Sequence, residues 1–385
     1  MQRTKKSILF LPRWYPNKTD IQLGTFIRQQ ALLLKEDFDI SVIYIQADST
    51  ANQKFNFIEN TKDGIHEIIV YFKEGTGFLK KIINAKRYEK AQKLAYKKLN
   101  RSVELCHVHV PYRPAALALY LLRTSQIPFV ITEHWSGHLT GDFQKKNKLD
   151  KALYNSVLKK ASAISCVSEL LQKKFKLNTG YDSVVISNYI ETAPATAPAP
   201  IPESKSDKIN ILSVTDMADE IKNISGLITA FNYALKENNK LHLTIIGGGP
   251  DEEKIKKIVD QFQLSSYITL AGRLNHEAVL KAMHESDFYV CNSNTETFGM
   301  TVAEALRSGK PVISTKCGGP EEFLNRENSI LIEPKNNDQL KNALLQMADE
   351  FPKFDSKKLS EDMENKFGKE VVKAKWILFY QSVLK

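Results

Sequence analysis

The chain has 385 residues, of which 42% are hydrophobic and 25% are charged, a composition typical of soluble globular proteins with room for two domains. It has no run of about 18 apolar residues, which excludes a membrane-spanning helix. Residues 1–190 contain 30 Lys and Arg against 16 Asp and Glu, so the first half carries a charge of +14, compared with +10 for the whole chain. This asymmetry indicates an anionic partner for the first half: a phosphorylated substrate, an anionic lipid or a nucleic acid.

The first predicted element is a short buried strand, Ser7–Leu11, which follows a basic segment. Its apolar run is too short for the hydrophobic region of a signal peptide, so we expect the protein in the cytoplasm. The four cysteines are widely scattered and lack the spacing of a metal site. We therefore expect buried free thiols and no bound metal.

Short apolar runs alternate with amphipathic helical runs in both halves of the chain. The strands predicted in the first half are Ser7–Leu11, Ile40–Ile45, Ile65–Phe72, Cys106–Val110, Phe129–Thr132, Ala163–Val167 and Val184–Ile186. Those predicted in the second half are Ile209–Val214, Leu241–Ile246, Ile268–Leu270, Phe288–Cys291, Pro311–Ser314 and Ser329–Ile332. Such alternation is typical of an α/β fold with two Rossmann-like domains, in which ligands bind at the carboxyl ends of parallel strands. We expect the two domains to face each other across a cleft.

A Pro/Ala-rich segment, Ala193–Pro202, separates the halves and predicts an extended linker. We therefore predict an N-terminal domain over 1–190, a linker over 191–208 and a C-terminal domain over 209–367. One long helix is predicted over Ser360–Leu384, with aromatic residues along one side. Its part within 368–385 could pack back on the N-terminal domain.

The most basic segment, Phe78–Arg101, has apolar residues at helical spacing from Phe78 and Ile82 onward, with lysines and arginines between them. A helix of this kind packs its apolar side on the core or lies on an anionic membrane surface, and both can hold for one helix. We expect peripheral contact with the inner face of the membrane. No aromatic recognition motif accompanies the lysines, so nucleic acid is not an expected partner.

Two turns that follow predicted strands in the first half carry candidate site residues. Gly24 lies near the start of a helix, and His134 follows the strand Phe129–Thr132. A histidine at such a strand end can hydrogen-bond a ligand at neutral pH, although a structural role fits its position equally well. His107 and His109 alternate along one strand, and we expect them to point to opposite faces with structural roles.

The second half contains a strand, Phe288–Asn292, that leads through a polar turn into a predicted helix, Thr301–Ser308. The free N–H groups at the start of a helix favour a bound anion, and Gly299 allows the backbone to approach it closely. A diphosphate is the natural occupant. Glu296 and Glu304 flank this turn, and their carboxylates can accept hydrogen bonds from the vicinal hydroxyls of a sugar and a ribose.

This pair of glutamates, followed by Ala305–Ser314, resembles the signature of the retaining glycosyltransferases of family four, which have the GT-B fold. The resemblance continues through Cys317–Glu321, Leu243–Pro250 and Gly272–Leu274, and in a degraded form through Val185–Glu191. It implies transfer of a hexose-type sugar, with retention, from a UDP- or GDP-sugar to a glycan or lipid-linked acceptor. The implied setting is surface polysaccharide or glycoconjugate biosynthesis, without a cofactor.

The same resemblance assigns roles to individual residues. Glu296 would contact the donor sugar, Glu304 the ribose and Lys222 the phosphates. The other donor-binding residues that it implies are Phe298, Gly299, Met300 and Thr301 through their backbone, and Arg273 and Leu274 beside the base. A lysine stabilises a departing diphosphate without a metal ion, so we expect metal-independent transfer.

In the first half, the resemblance places His134 at the reaction centre and Gly24 in a loop that approaches the donor phosphate. One departure stands out, because Asp216 occupies the position where the family has an arginine, and Arg273 is a candidate substitute. This departure leaves a non-catalytic sugar-nucleotide binder as an alternative. A sugar-nucleotide epimerase on the same fold is a second alternative.

Overall fold

The computed structural model describes residues 5–191 and 207–384, which divide into two compact units. The first unit runs to Tyr189 and resumes at Val372, whereas the second spans Ile190–Val371. Most of the predicted linker, residues 192–206, lies outside the described residues. No helix in the described ranges is both long and apolar enough to cross a membrane.

The first unit is built on an eight-stranded sheet. Its strands are β1 (Lys6–Pro12), β2 (Phe38–Asp48), β3 (Phe55–Lys62), β4 (Ile65–Lys73), β5 (Leu105–His109), β6 (Phe129–Glu133), β7 (Ala163–Cys166) and β8 (Val184–Val185). Their spatial order is β3-β4-β2-β1-β5-β6-β7-β8, and only β3 is antiparallel to its neighbour. β3 is not among the predicted strands because this edge strand is largely exposed and polar, without a buried face to show alternation.

Five helices of the first unit precede the second unit in the chain. They are α1 (Thr25–Leu34), α2 (Lys80–Leu99), α3 (Ala115–Ser125), α4 (Lys148–Leu158) and α5 (Glu169–Thr179). Side-chain caps fix two of their starts: Asn147 accepts from the N–H of Asp150, and Ser168 accepts from that of Leu171.

The helix α2 departs from its predicted apolar stripe in its first turns. Tyr88, Ala91, Ala95 and Leu99 are buried as that stripe requires, but Phe78 before the helix is fully exposed and Ile82 is 55% exposed. Two polar residues, Asn84 and Gln92, take buried positions instead. They are tolerated there because each hydrogen-bonds a backbone group of a neighbouring segment.

The second unit is built on a six-stranded parallel sheet. Its strands are β9 (Ile209–Val214), β10 (Leu241–Ile246), β11 (Ile268–Gly272), β12 (Phe288–Cys291), β13 (Val312–Thr315) and β14 (Ser329–Ile332), in the order β11-β10-β9-β12-β13-β14. Its helices are α6 (Asp219–Lys222), α7 (Ile224–Glu237), α8 (Glu252–Gln261), α9 (His276–Glu285), α10 (Met300–Arg307), α11 (Asn337–Glu350) and α12 (Ser356–Phe367). Two Rossmann-like parallel sheets with intervening helices confirm the predicted α/β fold class.

The predicted long C-terminal helix is two helices, α12 and α13 (Lys369–Gln381). They are separated by Gly368, which has extended backbone angles. A Cβ at this residue would lie only 2.4 Å from the carbonyl oxygen of Glu364. The prediction of one helix was wrong because apolar spacing continues across this break. Val372, Trp376, Phe379 and Tyr380 of α13 are buried in the core of the first unit.

In each sheet the strand order reverses direction at one place, between β9 and β12 in the second unit and between β1 and β5 in the first. Loops that leave the carboxyl ends of such a strand pair diverge and create a site for a ligand. Most of the predicted site residues follow strands at or next to these two places, whereas Arg273 and Leu274 follow β11 at the edge of the second sheet.

Candidate functional site

The turn between β12 and α10 has the predicted strand–turn–helix form. Gly299 precedes the helix with a left-handed φ of 87°, and a Cβ there would lie 2.5 Å from the ring of Pro320. Both restrictions favour glycine. Phe298 points away into the core, where its ring packs on Phe323 and Phe367. The backbone from Phe298 onward therefore leads directly into the free N–H groups of α10.

Lys222 and Glu296 meet directly in the second unit. The ammonium of Lys222, which ends the short helix α6, donates to Oε1 of Glu296 at 2.5 Å, and Ser293 Oγ donates to the same oxygen at 2.7 Å. Both charged side chains are about four-fifths buried. Although burial alone would lower the pKa of Lys222, the charge and hydrogen bond of Glu296 raise it. Lys222 therefore stays cationic beside the turn that leads into α10.

Backbone pairing fixes the segment that carries Glu296. Its N–H donates to the carbonyl of Cys317 at 2.8 Å, and its carbonyl accepts from the N–H of Gly319 at 2.9 Å. Asn292 and Asn294 donate through their side chains to the carbonyls of Asn223 and Glu220, respectively. The two loops at the switch between β9 and β12 are thus joined side by side, which holds Lys222 and Glu296 at one place.

Thr301 and Glu304 lie in the first turns of α10. Thr301 Oγ1 is 2.7 Å from the buried hydroxyl of Tyr289 on β12, which fixes its rotamer. Glu304 is 5% exposed, and burial raises the pKa of its carboxyl to about 7. The charge of His276 lowers this pKa and the charge of Glu191 raises it. Nε2 of His276 lies 3.4 Å from Oε2 of Glu191, so these two residues also pair with each other.

Arg273 contacts the residue that departs from the family pattern. Its Nη2 donates to the carbonyl of Gly248 at 3.0 Å and lies 3.4 Å from Oδ1 of Asp216. Leu274 follows it between β11 and α9, half-buried. The arginine and the aspartate therefore form an ion pair at the glycine turn that follows β10.

In the first unit, His134 follows β6 and is 6% exposed. Its Nε2 lies 3.2 Å from Nδ1 of His109, and its ring lies 4.9 Å from that of Phe26. Burial lowers its pKa to about 4, so the ring is neutral at pH 7. The buried carboxylate of Glu133 accepts from the N–H groups of His134 and Trp135, which fixes the backbone of this turn.

The expectation that His107 and His109 point to opposite faces was wrong. Their rings lie 4.0 Å apart between centroids, because residues two apart on a strand share a face. His107 is hydrogen-bonded through both ring nitrogens, to the hydroxyl of Tyr380 at 2.7 Å and to Oγ1 of Thr132 at 2.6 Å. Burial lowers the pKa of both histidines well below the ordinary value.

Gly24 stands at the start of α1, with a left-handed φ of 67°. A Cβ at this position would lie 2.4 Å from the carbonyl oxygen of Trp14, so glycine allows the helix start to pack against the loop after β1. Phe26, two residues later, is the residue that touches His134. Gly24 and His134 thus belong to one neighbourhood of the first unit, whereas the other predicted site residues belong to the second unit.

Next to this histidine lies a group of residues that the sequence analysis missed, which we call the cation–aromatic cluster: Arg13, Tyr112, Trp135 and Lys146. The guanidinium of Arg13 lies 5.0 Å from the ring of Tyr112, and the ammonium of Lys146 lies 4.8 Å from that ring and 5.1 Å from Trp135. Gly137 makes room for the indole, since a Cβ there would lie 2.0 Å from it. The sequence does not predict this cluster, because its members come from several loops. The one local indication is that Tyr112 and Trp135 follow shortly after strands β5 and β6.

Family models match both halves of the chain. The model described as "Glycosyltransferase Family 4" matches residues 23–193, and the one described as "Glycosyl transferases group 1" matches residues 199–366. Together these matches cover most of the sequence.

Three relatives illustrate the range of similar proteins. A subunit of the human phosphatidylinositol N-acetylglucosaminyltransferase is 27% identical, over 63% of this chain and 49% of its own. The alpha-monoglucosyldiacylglycerol synthase of Streptococcus pneumoniae is 24% identical, over 58% of this chain and 56% of its own. The N-acetyl-alpha-D-glucosaminyl L-malate synthase of Bacillus anthracis is 23% identical, over 77% and 79%. The match thus spans about half the length of the first two relatives.

Solved structures share the fold over almost the whole chain. Sucrose-phosphate synthase from Thermosynechococcus elongatus superposes with a TM-score of 0.76 at 17% identity, covering 98% of this chain and 99% of the other. Anabaena HepE in complex with UDP and glucose gives a TM-score of 0.74 at 15% identity, covering 98% and 100%. With both halves matched by family models and this GT-B architecture, the chain belongs to glycosyltransferase family four.

Proposed function

We propose that the protein transfers a hexose-type sugar, with retention, from a UDP- or GDP-sugar to a glycan or lipid-linked acceptor. The observation that carries this proposal is the contact of Lys222 with Glu296 beside the start of α10. It brings a cation for the diphosphate, a carboxylate for the sugar and free backbone N–H groups to one place. The alpha-glucosyl and N-acetylglucosaminyl transferases among the relatives support the same chemistry.

The donor would lie along the start of α10. Its diphosphate would bind the N–H groups of Gly299, Met300 and Thr301, where the helix dipole favours negative charge. Lys222 would neutralise the departing diphosphate, and Glu296 would accept hydrogen bonds from the sugar. Glu304, one turn along the helix, would accept from the ribose. This arrangement supplies alignment and charge stabilisation, which are the main requirements of a transfer that proceeds without a metal.

The cation–aromatic cluster supports an anionic acceptor. Neither Arg13 nor Lys146 forms an ion pair with any residue in the part of the chain that the structure describes, and the buried hydroxyl of Tyr112 has no hydrogen-bond partner there. Stacked cations beside an indole suit a sugar that bears a phosphate or a carboxylate. A lipid-linked saccharide phosphate has this chemistry, and so does an acidic glycan in surface polysaccharide assembly.

The tip of α2 supports a peripheral membrane location on the cytoplasmic side. Phe78, Leu79 and Ile82 are 102%, 53% and 55% exposed, and Lys80 and Lys81 lie among them. Exposed apolar side chains flanked by lysines suit the interface of an anionic bilayer. The C-terminal part of α2 packs on the sheet of the first unit. One helix would therefore contact both the protein core and the membrane.

A thermal-shift panel tests the donor assignment. It compares UDP, GDP and ADP with UDP-glucose, UDP-N-acetylglucosamine and GDP-mannose, and a nucleotide at a hundred times its dissociation constant should stabilise the protein by about 2.7 kcal/mol. Hydrolysis or transfer of the stabilising sugar nucleotide in excess chelator should proceed at an unchanged rate. Absence of stabilisation by all six compounds would refute the proposal.

The ion pair between Arg273 and Asp216 favours one second candidate, a sugar-nucleotide binder without transferase activity. In this case the arginine is partly neutralised and would hold the diphosphate less strongly. Stabilisation by a sugar nucleotide, together with no release of its nucleotide in the presence of extracted membrane lipids, would favour this second function. Interconversion of the free donor sugar would instead indicate an epimerase.

A further inference from the structure

His134 is held on three sides within the first unit. Its backbone N–H donates to the buried Glu133 at 2.8 Å, Phe26 covers one part of its ring, and Nε2 meets Nδ1 of His109 at 3.2 Å. Nδ1 of His134 bonds to none of the described residues and is not fully buried. The small exposed part of the side chain therefore includes Nδ1, the one ring nitrogen that a ligand can reach.

The burial of His109 decides which histidine donates in this pair. A neutral imidazole carries one proton, and His109 is fully buried with no hydrogen-bond partner at Nε2 among the described residues. If His134 donated, the proton of His109 would lie on that unpartnered Nε2. A buried N–H without an acceptor is rarer and costlier than a buried acceptor without a donor. The proton of His109 therefore lies on Nδ1, and His109 donates to Nε2 of His134.

We propose that His109 is a positioning residue that fixes His134 with its proton on Nδ1, so that His134 presents a hydrogen-bond donor, and not a base, to the reacting groups. This inference rests on the proposed function only for the identity of the ligand group that accepts a hydrogen bond from Nδ1 of His134. A sugar hydroxyl or a phosphate oxygen can accept from this N–H. The acceptor's proton must leave by another route, because the lone pair on Nε2 is already occupied.

The surroundings of His109 keep its ring in one orientation. The ring of His107 lies on one side, tilted by 32° with 4.0 Å between ring centroids, and is itself bound at both nitrogens, and the ring of Phe10 lies 5.0 Å away. The chain turns immediately afterwards at Val110, whose left-handed φ of 64° is unusual for a β-branched residue. The N–H of Val110 donates to the carbonyl of Thr132 at 2.9 Å, which secures this turn.

The tautomer can be read directly from the ligand-free full-length protein. Long-range nitrogen–proton NMR spectra of uniformly labelled protein at pH 7 should show both His109 and His134 protonated at Nδ1 and bare at Nε2. The ring signals are assigned by their loss in His109→Asn and His134→Asn. A proton on Nε2 of His134 would overturn the inference, whatever the donor experiments give.

Two substitutions at His109 provide a matched pair. In His109→Asn the side-chain amide replaces Nδ1 and can still donate to His134, whereas in His109→Gln it replaces the unpartnered Nε2. We expect the tautomer of His134 to survive in the asparagine variant and to become mixed in the glutamine variant. Survival in both variants would contradict the positioning role. Should the glutamine variant fail to fold, the wild-type spectrum still decides.

Activity separates this inference from the proposed function. With UDP-glucose, UDP-N-acetylglucosamine and GDP-mannose as probes, kcat should fall about tenfold in His109→Gln, the effect of losing one hydrogen bond, with KM little changed. The asparagine variant should retain most of the rate. No turnover of any probe by the wild type would count against the proposed function, while the tautomer in the ligand-free protein would still decide the role of His109.

Discussion

At the scale of single residues, the two cations of the proposed donor site are already paired. Lys222 is bound by Glu296 and Arg273 by Asp216. A nucleoside diphosphate that lacks a sugar would compete with Glu296 for Lys222 and leave the Glu296 carboxylate with only the hydrogen bond from Ser293. A complete donor offers that carboxylate its hydroxyls. We therefore expect the pairing to favour a sugar nucleotide over the free nucleotide.

Substituting Glu296 by glutamine tests this idea. Glu296→Gln should bind UDP roughly threefold to tenfold more tightly, because Lys222 loses its intramolecular counterion. Its turnover of sugar nucleotide should fall by at least about a hundredfold, since the sugar loses a charged acceptor. Calorimetric titration of UDP and initial rates measure the two effects. Glu237→Gln, which breaks the Lys341–Glu237 ion pair elsewhere in this unit, is the control.

The carboxyl of Glu304 should make nucleotide binding pH-dependent. Ribose hydroxyls donate most strongly to the ionised carboxylate, and burial raises the pKa of Glu304 to about 7. Affinity for UDP should therefore rise with pH up to about 7 and level off above it, by at most tenfold per pH unit. UDP titrations from pH 5.5 to 8.5 measure the trend.

Glu304→Gln supplies the reference for that experiment, because the phosphates of UDP also change their protonation in this pH range. The difference between the wild type and the variant isolates the glutamate. A wild-type profile parallel to that of the variant would show that the ionisation of Glu304 does not contribute.

Some site residues could be predicted from the sequence and others could not. Glu296, Gly299 and Glu304 lie within one contiguous strand–turn–helix, whose spacing alone places them together. His109 was not predicted as a site residue, because it acts through His134, which is distant in the sequence and follows a neighbouring strand. Only the strand order and the register bring such contacts together, and neither is encoded in a local pattern.

At the scale of elements, the tip of α2 makes a prediction about membranes. Phe78→Ser combined with Ile82→Ser should reduce co-sedimentation with vesicles rich in phosphatidylglycerol by at least about tenfold, because two exposed apolar side chains are lost from the interface. Binding to phosphatidylcholine vesicles should be weak for every variant at physiological salt.

Leu177→Ser on α5 is the matched control, since this leucine is 76% exposed but lies on another helix. Equal loss of binding in the control and in the double variant would indicate a general surface effect. Equal binding of the wild type to neutral and anionic vesicles would count against a membrane role for α2.

The same helix shows why elements are easier to predict than their faces. Helical periodicity predicted α2 within two residues at each end. It placed Phe78 and Ile82 on the core side because spacing cannot tell where the supporting sheet stops. Likewise the break between α12 and α13 lies at Gly368, whose extended backbone angles apolar periodicity does not report.

At the scale of the whole molecule, α13 belongs to the core of the first unit although it follows the second unit in the chain. Trp376→Ala should lower the free energy of unfolding of the first unit by about 3–5 kcal/mol, the usual cost of removing a large buried aromatic side chain. Leu378→Ala on the same helix should change it little, because Leu378 is 67% exposed.

Tryptophan fluorescence during urea unfolding measures this effect selectively. All three tryptophans, Trp14, Trp135 and Trp376, lie in the first unit, so two reporters remain in the variant. Stabilisation by UDP reports on the second unit and should be unaffected. Equal destabilisation by the alanine substitutions at 376 and 378 would contradict the packing described for α13.

Because α13 packs in the core of the first unit, it also determines the order in which the two units complete their folding during synthesis. The second unit is contiguous and can complete its core as soon as Val371 has left the ribosome. The first unit emerges earlier but waits for Val372, Trp376, Phe379 and Tyr380, a delay of roughly ten to forty seconds at about 5–20 residues per second. During that time the apolar core residues that α13 covers are exposed to chaperones and to misassembly, so the first unit of the nascent chain is the last to complete its core.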